Sequence, residues 1–496
     1  MTAINRDISG AASSRFDLII AGSGIYGVML ALEAGMRGKR ALLLEKEDFG
    51  GATSLNHLRT VHGGLRYLQS LDLPRFSESV GERRWFLRNF PALAHVLPCL
   101  MPLYGRGLKR PVIMRAALRL NDLLGARRNS GLAEAKRLAA GRVVDRRLTS
   151  ELFPQVDRQG LKAGALWYDA AMPEHQRLLM EILRWACSLG AVALNYVRAD
   201  SLLLQHRQVR GVLAHDLIDD RDLEFRAPIV VNAAGPWCRE LAQKFDQDFP
   251  GLFRRRLLLF NILFKRKALS THALALIPPG RPQRTYFIHN WQERMLAGTG
   301  EVLLAADAAS ESPRPEDIAE FIADLNDAIP DLLLGEGDIE HVYSGILPAG
   351  ASGKLAGREV ILSHADHQGP AGLFSVSGVK YTTSRLVAEK AMRRIFPGTR
   401  AKRLPAPPEA NSRRGFSAYE WTAAEAVSAA AADIKMMLAE EAVVHLDDLL
   451  FRRSGLGENR RRLMDLLPLL RPLFPWNDLR WQQECDRVKK LPQSPF

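Results

Sequence analysis

Three glycines near the start of the chain have a spacing that could bind a nucleotide. Gly22, Gly24 and Gly27 form G-x-G-x-x-G. In this pattern the first glycine permits a tight turn, the second lets a pyrophosphate approach the backbone, and the third lets a helix pack closely on a sheet. Glu45 follows about 20 residues later, where an acid can bind ribose hydroxyls. The residues of this segment that we assign to a dinucleotide site are Gly22, Ser23, Gly24, Ile25, Tyr26, Gly27, Glu45 and Lys46.

The apolar pattern around these glycines predicts one βαβ unit. Residues 17–21 form a short apolar run that leads into the turn, residues 25–37 place small residues among larger apolar ones, and residues 41–44 form a second apolar run. Gly38 suits the end of the helix. An anion bound at the turn would meet the N-terminus of the helix, whose free N–H groups favour negative charge. Strand, turn, helix, second strand and acid thus follow in the order that dinucleotide binding requires.

A second block of small and polar residues follows the acid. It contains Thr53-Ser54 and, over residues 62–68, H-G-G-L-R-Y-L. These motifs closely resemble the T-S…H-G-G-L-R-Y-L block of FAD-dependent glycerol-3-phosphate dehydrogenases. The resemblance implies that the dinucleotide is FAD, not NAD. It also implies the fold of the wider flavoenzyme group that includes D-amino-acid oxidase, in which a Rossmann-like FAD domain carries an antiparallel sheet over the flavin.

Two later motifs extend the resemblance over almost the whole chain. Residues 229–237, IVVNAAGPW, resemble the family's V-N-A-x-G-P-W, and residues 373–385, LFSVSGVKYTTSR, resemble its closing motif. The closing motif implies that Lys380 lies beside the isoalloxazine and that a helix over 382–395 directs its N-terminal N–H groups at the flavin. The further residues that the resemblance assigns to FAD binding are Thr53, Ser54, His62, Gly63, Gly64, Val197, Ala233, Ala234, Gly235, Trp237, Gly345, Gly378, Lys380, Tyr381, Thr382 and Thr383.

The resemblance also implies a set of substrate-pocket residues, of which this chain keeps a part. Leu347 stands where the family's G-V-R-P-L motif has an arginine, which removes a strong type of anion contact. Asn261 falls where the family has a histidine in the substrate sheet, and His289 is a candidate replacement whose alternative is a structural role. The pocket residues that are present are Arg66, Tyr67, Arg358 and Lys380.

These patterns predict an α/β fold with a Rossmann-like FAD-binding domain, an antiparallel-sheet substrate domain and a C-terminal helical domain. The FAD-binding domain is expected in three parts, with a helical insertion and the antiparallel domain between them. The C-terminal domain contains D-x-L-x-R-R, which resembles the family's helical domain. The predicted boundaries are 16–94, 151–250 and 345–397 for the FAD-binding parts, 95–150 for the helical insertion or substrate region, 251–344 for the antiparallel domain, 398–414 for a linker and 415–496 for the helical domain.

Composition limits the setting in which the protein acts. The chain has 496 residues, of which 47% are hydrophobic, so it can form a large core in two or three domains. No segment has the roughly 18 uninterrupted apolar residues of a membrane span, and residues 1–15 lack the apolar core of a signal peptide. We therefore expect a cytoplasmic protein. Its four cysteines are far apart and predict neither a disulfide framework nor a metal site.

The net charge of +13 favours an anionic partner. The basic residues are scattered without the interleaved aromatic residues of single-strand binders, so nucleic acid is not expected. Residues 105–128 set apolar residues between arginines and lysines, as in a solvated helix packed on the core or a helix lying on the inner face of a membrane. The membrane interpretation gains support because the resembled dehydrogenases are peripheral membrane proteins that pass electrons to quinone.

The leading functional hypothesis is an FAD-dependent dehydrogenase or oxidase that transfers hydride from a CH–OH bond of a small, anionic substrate to flavin N5. Because two pocket residues depart from the family, the substrate is expected to differ from glycerol 3-phosphate. The electron acceptor would be a quinone or dioxygen. One alternative is an amine or amino-acid oxidase in which Arg66 or Arg358 holds a carboxylate, and another is a flavin-bound protein without turnover.

Overall fold

The strands that the structure describes form three sheets. The computed structural model describes residues 3–105, 107–245, 247, 255–281, 284–305, 312–350, 353–407 and 424–490. In chain order, the strands of these residues are β1 (Leu18–Ala21), β2 (Ala41–Leu44), β3 (Thr60–Val61), β4 (His95–Leu103), β5 (Arg142–Asp145), β6 (Ala163–Ala171), β7 (Val192–Leu194), β8 (Val197–Gln205), β9 (Gln208–Asp216), β10 (Arg221–Arg226), β11 (Val230–Asn232), β12 (Arg255–Lys267), β13 (Ala273–Leu276), β14 (Tyr286–Trp291), β15 (Arg294–Leu303), β16 (Ile339–Ala349), β17 (Val360–Ser363) and β18 (Leu373–Ser377).

Helices lie between these strands and follow the last of them. They are α1 (Ile8–Ser13), α2 (Ile25–Gly35), α3 (Leu73–Asn89), α4 (Pro111–Leu124), α5 (Arg146–Leu152), α6 (His175–Ser188), α7 (Cys238–Lys244), α8 (Pro315–Ala328), α9 (Ser384–Ile395), α10 (Ala424–Glu440), α11 (Leu446–Asp448), α12 (Arg460–Leu470) and α13 (Asp478–Lys490). Among the described residues, no helix combines the length and apolarity needed to cross a membrane.

The chain divides into two compact units. The first unit contains the chain up to Leu55, Glu174–Leu257 and the chain from Leu347 onward, and the second contains Asn56–Pro173 and Leu258–Ile346. The second unit therefore begins well before the predicted boundary at residue 95. The two units are described separately below.

A six-stranded sheet forms the centre of the first unit. Its order is β17-β18-β11-β1-β2-β7, and β17 alone among these pairs is antiparallel to its neighbour. Strands such as L-I-I-A and A-L-L-L are buried along their whole length because the sheet is covered on both faces. An antiparallel ribbon, β10-β9-β8, lies beside it and shares a core that includes Ile19, Leu42, Val212, Val230 and Leu373. The predicted Rossmann-like fold is thus confirmed.

A helical module follows α9 in the same unit. Its helices α10 to α13 share a core that includes Ile434, Met437, Leu449, Leu463 and Val488. This agrees with the C-terminal helical region that the sequence predicts. The second half of the predicted linker and the start of the predicted domain, residues 408–423, lie outside the described residues.

A larger curled sheet forms the second unit. Its order is β16-β12-β15-β14-β13-β4-β6-β3, and β5 also pairs with β6. Neighbours in the part from β15 to β3 are antiparallel except β13 and β4, which are parallel. Helix α8 packs through Phe321 on a core that includes Leu100, Phe260, Ile288 and Ala297. The predicted antiparallel sheet is present, and it draws on more of the chain than residues 251–344.

Two segments differ from the secondary structure that the sequence predicts. The region 95–150, predicted as a helical insertion or substrate region, contains strands β4 and β5, and the following residues Ala163–Ala171 form strand β6. Pro98 and Pro102 weakened the strand signal of β4, since proline donates no ladder hydrogen bond. β6 has neighbours at both of its edges and is buried on both faces, so it shows no alternation of polar and apolar residues.

Candidate functional site

Two positions of the glycine turn have no room for a side chain. It joins Ala21, the end of β1, to Ile25, the start of α2. Gly22 has a φ of 106°, and a Cβ there would lie 2.8 Å from the carbonyl oxygen of Ala233. A Cβ on Gly27 would lie 1.9 Å from the carbonyl oxygen of Gly22. The first and third glycines are therefore needed by the protein's own backbone.

Gly24, the second glycine of the turn, has no backbone atom pressed against it and is close to one side-chain atom instead. Apart from its chain neighbours, the only described atom within 4 Å of a Cβ on Gly24 is the Oγ of Ser54, at 3.3 Å. The same Oγ accepts a hydrogen bond of 2.9 Å from the N–H of Ile25, the first residue of α2. An open glycine at a helix N-terminus is the cradle that a pyrophosphate requires, so this turn fits FAD.

The acid that the sequence predicts for ribose binding contacts this turn. Glu45 Oε2 accepts hydrogen bonds from the N–H and the hydroxyl of Ser23, at 2.7 and 2.8 Å. Its Oε1 accepts a bond of 3.1 Å from the N–H of Glu47. Burial raises the pKa of Glu45, and the donors of Ser23 and Glu47 partly offset this rise. The neighbouring Lys46 is exposed.

Residues 233–237 lie against the same turn. The N–H of Ala233 donates to the carbonyl of Ala21 at 2.8 Å, which aligns the end of β11 with the end of β1. Gly235 has a φ of 58° and begins a short 3₁₀ turn that ends at Trp237. The segment thus meets the glycine turn through Ala233. FAD contacts of Ala234, Gly235 and Trp237 stay predictions.

Val197 has a different environment from the one that the resemblance implies. Its N–H donates a hydrogen bond of 2.7 Å to the carbonyl of Glu45, which connects the start of β8 to the end of β2. An adenine therefore cannot take that N–H in this structure. The FAD-binding role of Val197 stays a prediction, and in this structure its N–H is already used within the fold.

The closing motif connects β18 to α9 in the first unit. Gly378 and Lys380 lie in the turn, and Thr383 occupies the N-cap position of α9, so the helix begins two residues later than predicted. The Lys380 backbone is hydrogen-bonded to Tyr26, the second residue of α2. The first unit therefore brings together the glycine turn, the acid, Ser54, Ala233 and the closing motif.

The H-G-G block lies in the second unit, and its glycines serve packing there. The N–H of Gly63 donates to Asp169 Oδ1 at 2.7 Å, and Arg83 Nη1 donates to the same oxygen at 3.0 Å. A Cβ on Gly63 would lie 1.8 Å from that guanidinium nitrogen. Gly64 has a φ of 87° and precedes the 3₁₀ turn Leu65–Ser70. These glycines are explained without a cofactor, so their FAD-binding role stays a prediction.

His62 forms a dyad with Asp169, a residue that the sequence analysis did not select. The His62 Nδ1 lies 3.1 Å from Asp169 Oδ2, and the His62 side chain is 46% exposed. Burial opposes ionisation of Asp169, but His62, Arg83 and the Gly63 N–H hold its pKa below the usual value. A carboxylate can only accept, so we assign the proton to Nδ1 and the lone pair to Nε2.

The remaining pocket residues carried over from the family are divided between the two units. Arg66 is exposed and Tyr67 half-buried in the 3₁₀ turn after Gly64. Within the described part of the chain, Arg66 makes no ion pair. Arg358, in the first unit, is exposed between β16 and β17.

His289, the candidate replacement base, is an internal residue of β14. Its side chain is buried, with Nδ1 3.1 Å from the carbonyl of Asn290 and Nε2 2.9 Å from the carbonyl of Leu58. Burial lowers the pKa of His289 to about 4, although these two carbonyls favour the charged form. With a carbonyl at each nitrogen and almost no exposure, the geometry favours the structural role over the predicted catalytic one.

The two departures from the family also have defined environments. Asn261 is buried and accepts a hydrogen bond of 3.1 Å from the hydroxyl of Thr299. It also packs closely on Gly298, because a Cβ on Gly298 would lie 2.0 Å from Asn261 Oδ1. Leu347 is half-buried in β16, the strand that also holds Gly345. Asn261 thus serves the packing of its own unit.

A buried ion pair joins the segment after Glu45 to the helical module. Arg453 donates to Asp48 at 2.6 and 2.8 Å, and both side chains are fully buried. Asn195 donates to the same carboxylate at 2.9 Å. Burial raises the pKa of Asp48, but the charge and hydrogen bonds of Arg453, together with the charge of Arg452 and the hydrogen bond of Asn195, hold the pKa below the usual value. Arg453 belongs to the D-x-L-x-R-R motif, so this motif anchors the segment that follows the predicted ribose-binding residue Glu45.

A family model matches most of the described chain. The model described as "FAD dependent oxidoreductase" matches residues 17–393, which include both the glycine turn and the closing motif. The chain belongs to this family, so the protein is an FAD-dependent oxidoreductase.

Within the family, the chain is similar to glycerol-3-phosphate dehydrogenases. It is 32% identical over 409 residues to glycerol-3-phosphate dehydrogenase 1 of Mycobacterium bovis, covering 78% of this chain and 74% of that protein. It is 28% identical over 435 residues to glycerol-3-phosphate dehydrogenase of Synechocystis sp., covering 84% and 76%. The structure of glycerol-3-phosphate dehydrogenase from Bacillus halodurans complexed with FAD has the same fold, with a TM-score of 0.71, 21% identity, and coverage of 98% of this chain and 97% of that one.

Proposed function

We propose that this chain oxidises a CH–OH bond of a small anionic substrate other than glycerol 3-phosphate. When bound, FAD supplies the acceptor for the two electrons that leave the substrate. The chain must then bind the anion, orient the carbon and remove the hydroxyl proton. The observation that carries the proposal is the His62–Asp169 dyad, because it provides an exposed proton acceptor where His289 does not.

The dyad suits a proton acceptor in two ways. Asp169 is buried with its pKa held low, so its carboxylate fixes the ring of His62 through Nδ1 and leaves Nε2 outside this contact on a side chain that is 46% exposed. An imidazole held in this orientation is a suitable group to accept a hydroxyl proton at its second nitrogen. Asp169 also accepts from Gly63 and Arg83, which keeps the carboxylate itself in one orientation.

Arg66 is the proposed anion-binding residue. It is exposed, and its guanidinium has no carboxylate partner among the described residues, so its donors are available to a phosphate or carboxylate. Arg358, Tyr67 and Lys380 complete the proposed set on the strength of the family resemblance. Leu347 cannot replace the guanidinium of the family's arginine, and losing one charge-assisted hydrogen bond costs on the order of 1.5 to 3 kcal/mol.

An anaerobic panel tests this proposal. The holoprotein is mixed with hydroxy acids, phosphorylated alcohols and amino acids, and the loss of flavin absorbance is followed. Bleaching by an alcohol is the expected result. Bleaching by amines alone would indicate an amine oxidase instead, and no bleaching by any member would favour a flavin-bound protein without turnover. Re-oxidation of the bleached protein by dioxygen or by a soluble quinone then identifies the acceptor.

The glycine turn gives a prediction for cofactor binding. Gly24→Val should give colourless protein, because its side chain would extend into the open side of the turn that the pyrophosphate needs. Absorbance of the purified protein and titration with added FAD measure this. Gly81→Val is the control, since a Cβ on Gly81 meets no described atom within 4 Å and Gly81 lies outside the turn. Equal FAD content in both variants would contradict this site.

The basic helix α4 supports a second proposal, that the protein contacts an anionic membrane surface. The helix buries Met114 and Leu118 and exposes a stripe on its opposite side, with Val112 72% and Leu123 73% exposed. Spacings of three, four and seven residues bring the exposed Ile113, Leu120 and Leu124 to the same side. Exposed arginines flank the stripe at positions 110, 115 and 119. Apolar residues bordered by arginines suit the boundary between headgroups and acyl chains.

Vesicle binding tests the membrane contact. We expect the protein to float with vesicles of phosphatidylglycerol and phosphatidylcholine, and Leu123→Glu to reduce the bound fraction about tenfold, since it removes apolar contact and adds repulsion. Leu333→Glu is the matched control, because Leu333 is 74% exposed outside the helix. An equal effect of both substitutions, or no binding by the wild type, would rule out this contact.

A further inference from the structure

The side chain of Tyr26 reaches the closing turn and contacts both backbone groups of one residue. Its hydroxyl donates to the carbonyl of Lys380 at 2.8 Å and accepts from the N–H of Lys380 at 3.1 Å. A Cβ on Gly378 would lie 2.1 Å from the Tyr26 hydroxyl oxygen and 2.3 Å from the ring carbon that bears it. Gly378 therefore leaves the space in which the end of the tyrosine lies.

This contact fixes a segment without regular secondary structure. Residues 378–383 connect β18 to α9, and no strand or helix holds the backbone of Lys380. A tyrosine hydroxyl has one donor and can accept as well, so it can satisfy the N–H and the carbonyl of the same residue. The Tyr26 side chain is almost fully buried, and the Thr383 side chain also hydrogen-bonds to it. Because hydrogen bonds are stronger in a buried environment than in water, these bonds restrict the Lys380 backbone to one conformation.

The position of Tyr26 in the sequence shows which two segments this contact connects. Tyr26 lies between the second and third glycines of the dinucleotide turn, at the start of α2. The residue thus joins the turn that receives the pyrophosphate to the turn that carries Lys380. These segments are more than 350 residues apart in the chain, and both belong to the first unit.

We propose that Tyr26 is a positioning residue whose hydroxyl fixes the Lys380 backbone and so directs the Lys380 ammonium group at bound FAD. The inference rests on the proposed role of Lys380 at the cofactor and adds the residue that orients it. Tyr26 then acts through Lys380, and its aromatic ring serves mainly to fill the space above Gly378. The hydroxyl and the ring can be separated experimentally by Tyr26→Phe, which keeps the ring.

The midpoint reduction potential of the bound flavin tests this inference without any substrate. A positive charge held at the cofactor favours its anionic reduced form, so Lys380→Met should lower the potential. Tyr26→Phe should lower it too, by about a tenfold change in the two-electron equilibrium, which corresponds to about 30 mV. In the Lys380→Met background, Tyr26→Phe should cause no further change, because there is no charge left to direct. The melting temperature should fall equally in both backgrounds.

Tyr104→Phe serves as the matched control. The Tyr104 hydroxyl also donates to a backbone carbonyl, that of Asp157 at 3.0 Å, but it belongs to the second unit. It should lower the melting temperature and leave the potential unchanged. If Tyr26→Phe gives the same shift with and without Lys380, or affects only the melting temperature, the inference is wrong while the proposed function stands. If Lys380→Met itself leaves the potential unchanged, the inference fails together with the proposed role of Lys380.

Discussion

Replacing Arg453 by methionine should lower the free energy of unfolding by about 3 to 5 kcal/mol. Arg453 is fully buried and donates two hydrogen bonds to Asp48, which is fully buried as well. Removing one member of such a pair leaves the other charge buried without its main partner, and that loss far exceeds the value of a surface pair. Arg453 also donates to the carbonyl of Glu441, so the helical module loses a second contact.

Chemical denaturation of wild type and variant measures this effect. Arg147→Met is the matched control, since Arg147 pairs with Glu151 at 3.0 Å but both side chains are largely exposed. The control should change the free energy of unfolding by less than about 1 kcal/mol. A similar small change in both variants would contradict the structural role of the buried pair.

The same substitution should weaken FAD binding. Asp48 lies three residues after Glu45, whose carboxylate contacts the glycine turn through Ser23. Without Arg453, the segment that carries Glu45 loses its anchor on the helical module. FAD titration of folded protein at low temperature, with Arg147→Met beside it, separates this effect from unfolding. Unchanged affinity in folded Arg453→Met protein would show that the helical module does not support the cofactor site.

Replacing His62 by asparagine should reduce the rate of flavin bleaching by about 100- to 10,000-fold with the best substrate of the panel. The asparagine amide can still donate a hydrogen bond to Asp169 in place of His62 Nδ1, so the local fold is conserved. What is lost is the Nε2 lone pair, and with it the proton acceptor. The melting temperature should change little, which separates this result from a general loss of structure, and the rate is compared at equal FAD content because His62 is also a predicted FAD-binding residue.

His289→Asn is the comparison that distinguishes the two histidines. Because His289 is buried between two carbonyls, this variant should affect the melting temperature more than the bleaching rate. Its pKa of about 4 also means that His289 stays neutral from pH 5 to 8, so a change of rate in that range cannot report its titration. A larger loss of rate in His289→Asn than in His62→Asn would reverse the assignment.

The sequence predicts the FAD-binding framework well because that framework is local. The glycine turn, its helix and Glu45 lie within 24 residues, and each has a spacing set by backbone geometry. The structure agrees at Gly22 and Gly27, where a side chain would collide with backbone atoms. The large sheet was predicted only in part, since strands buried on both faces lack the two-residue alternation that marks a strand.

The contacts that complete the site depend on distant pairs, which a single sequence does not reveal. Asp169 is 107 residues from His62, and Arg453 is 405 residues from Asp48. The sequence assigns Tyr26 to the dinucleotide turn, but its contact with the closing turn, 354 residues away, has no local signal. The residue type of His289 suggests chemistry, whereas its burial and its two carbonyl neighbours, which favour the structural alternative, appear only in the fold.

Anaerobic stopped-flow mixing of the wild-type holoprotein with glycerol 3-phosphate most directly tests the claim that this FAD-dependent oxidoreductase acts on a different substrate. With Leu347 in place of an arginine and Asn261 occupied by internal packing, we expect slow bleaching that does not saturate, while an alcohol from the panel bleaches the same protein rapidly. Rapid, saturable bleaching by submillimolar glycerol 3-phosphate would contradict the claim, because it would mean that neither departure from the family matters.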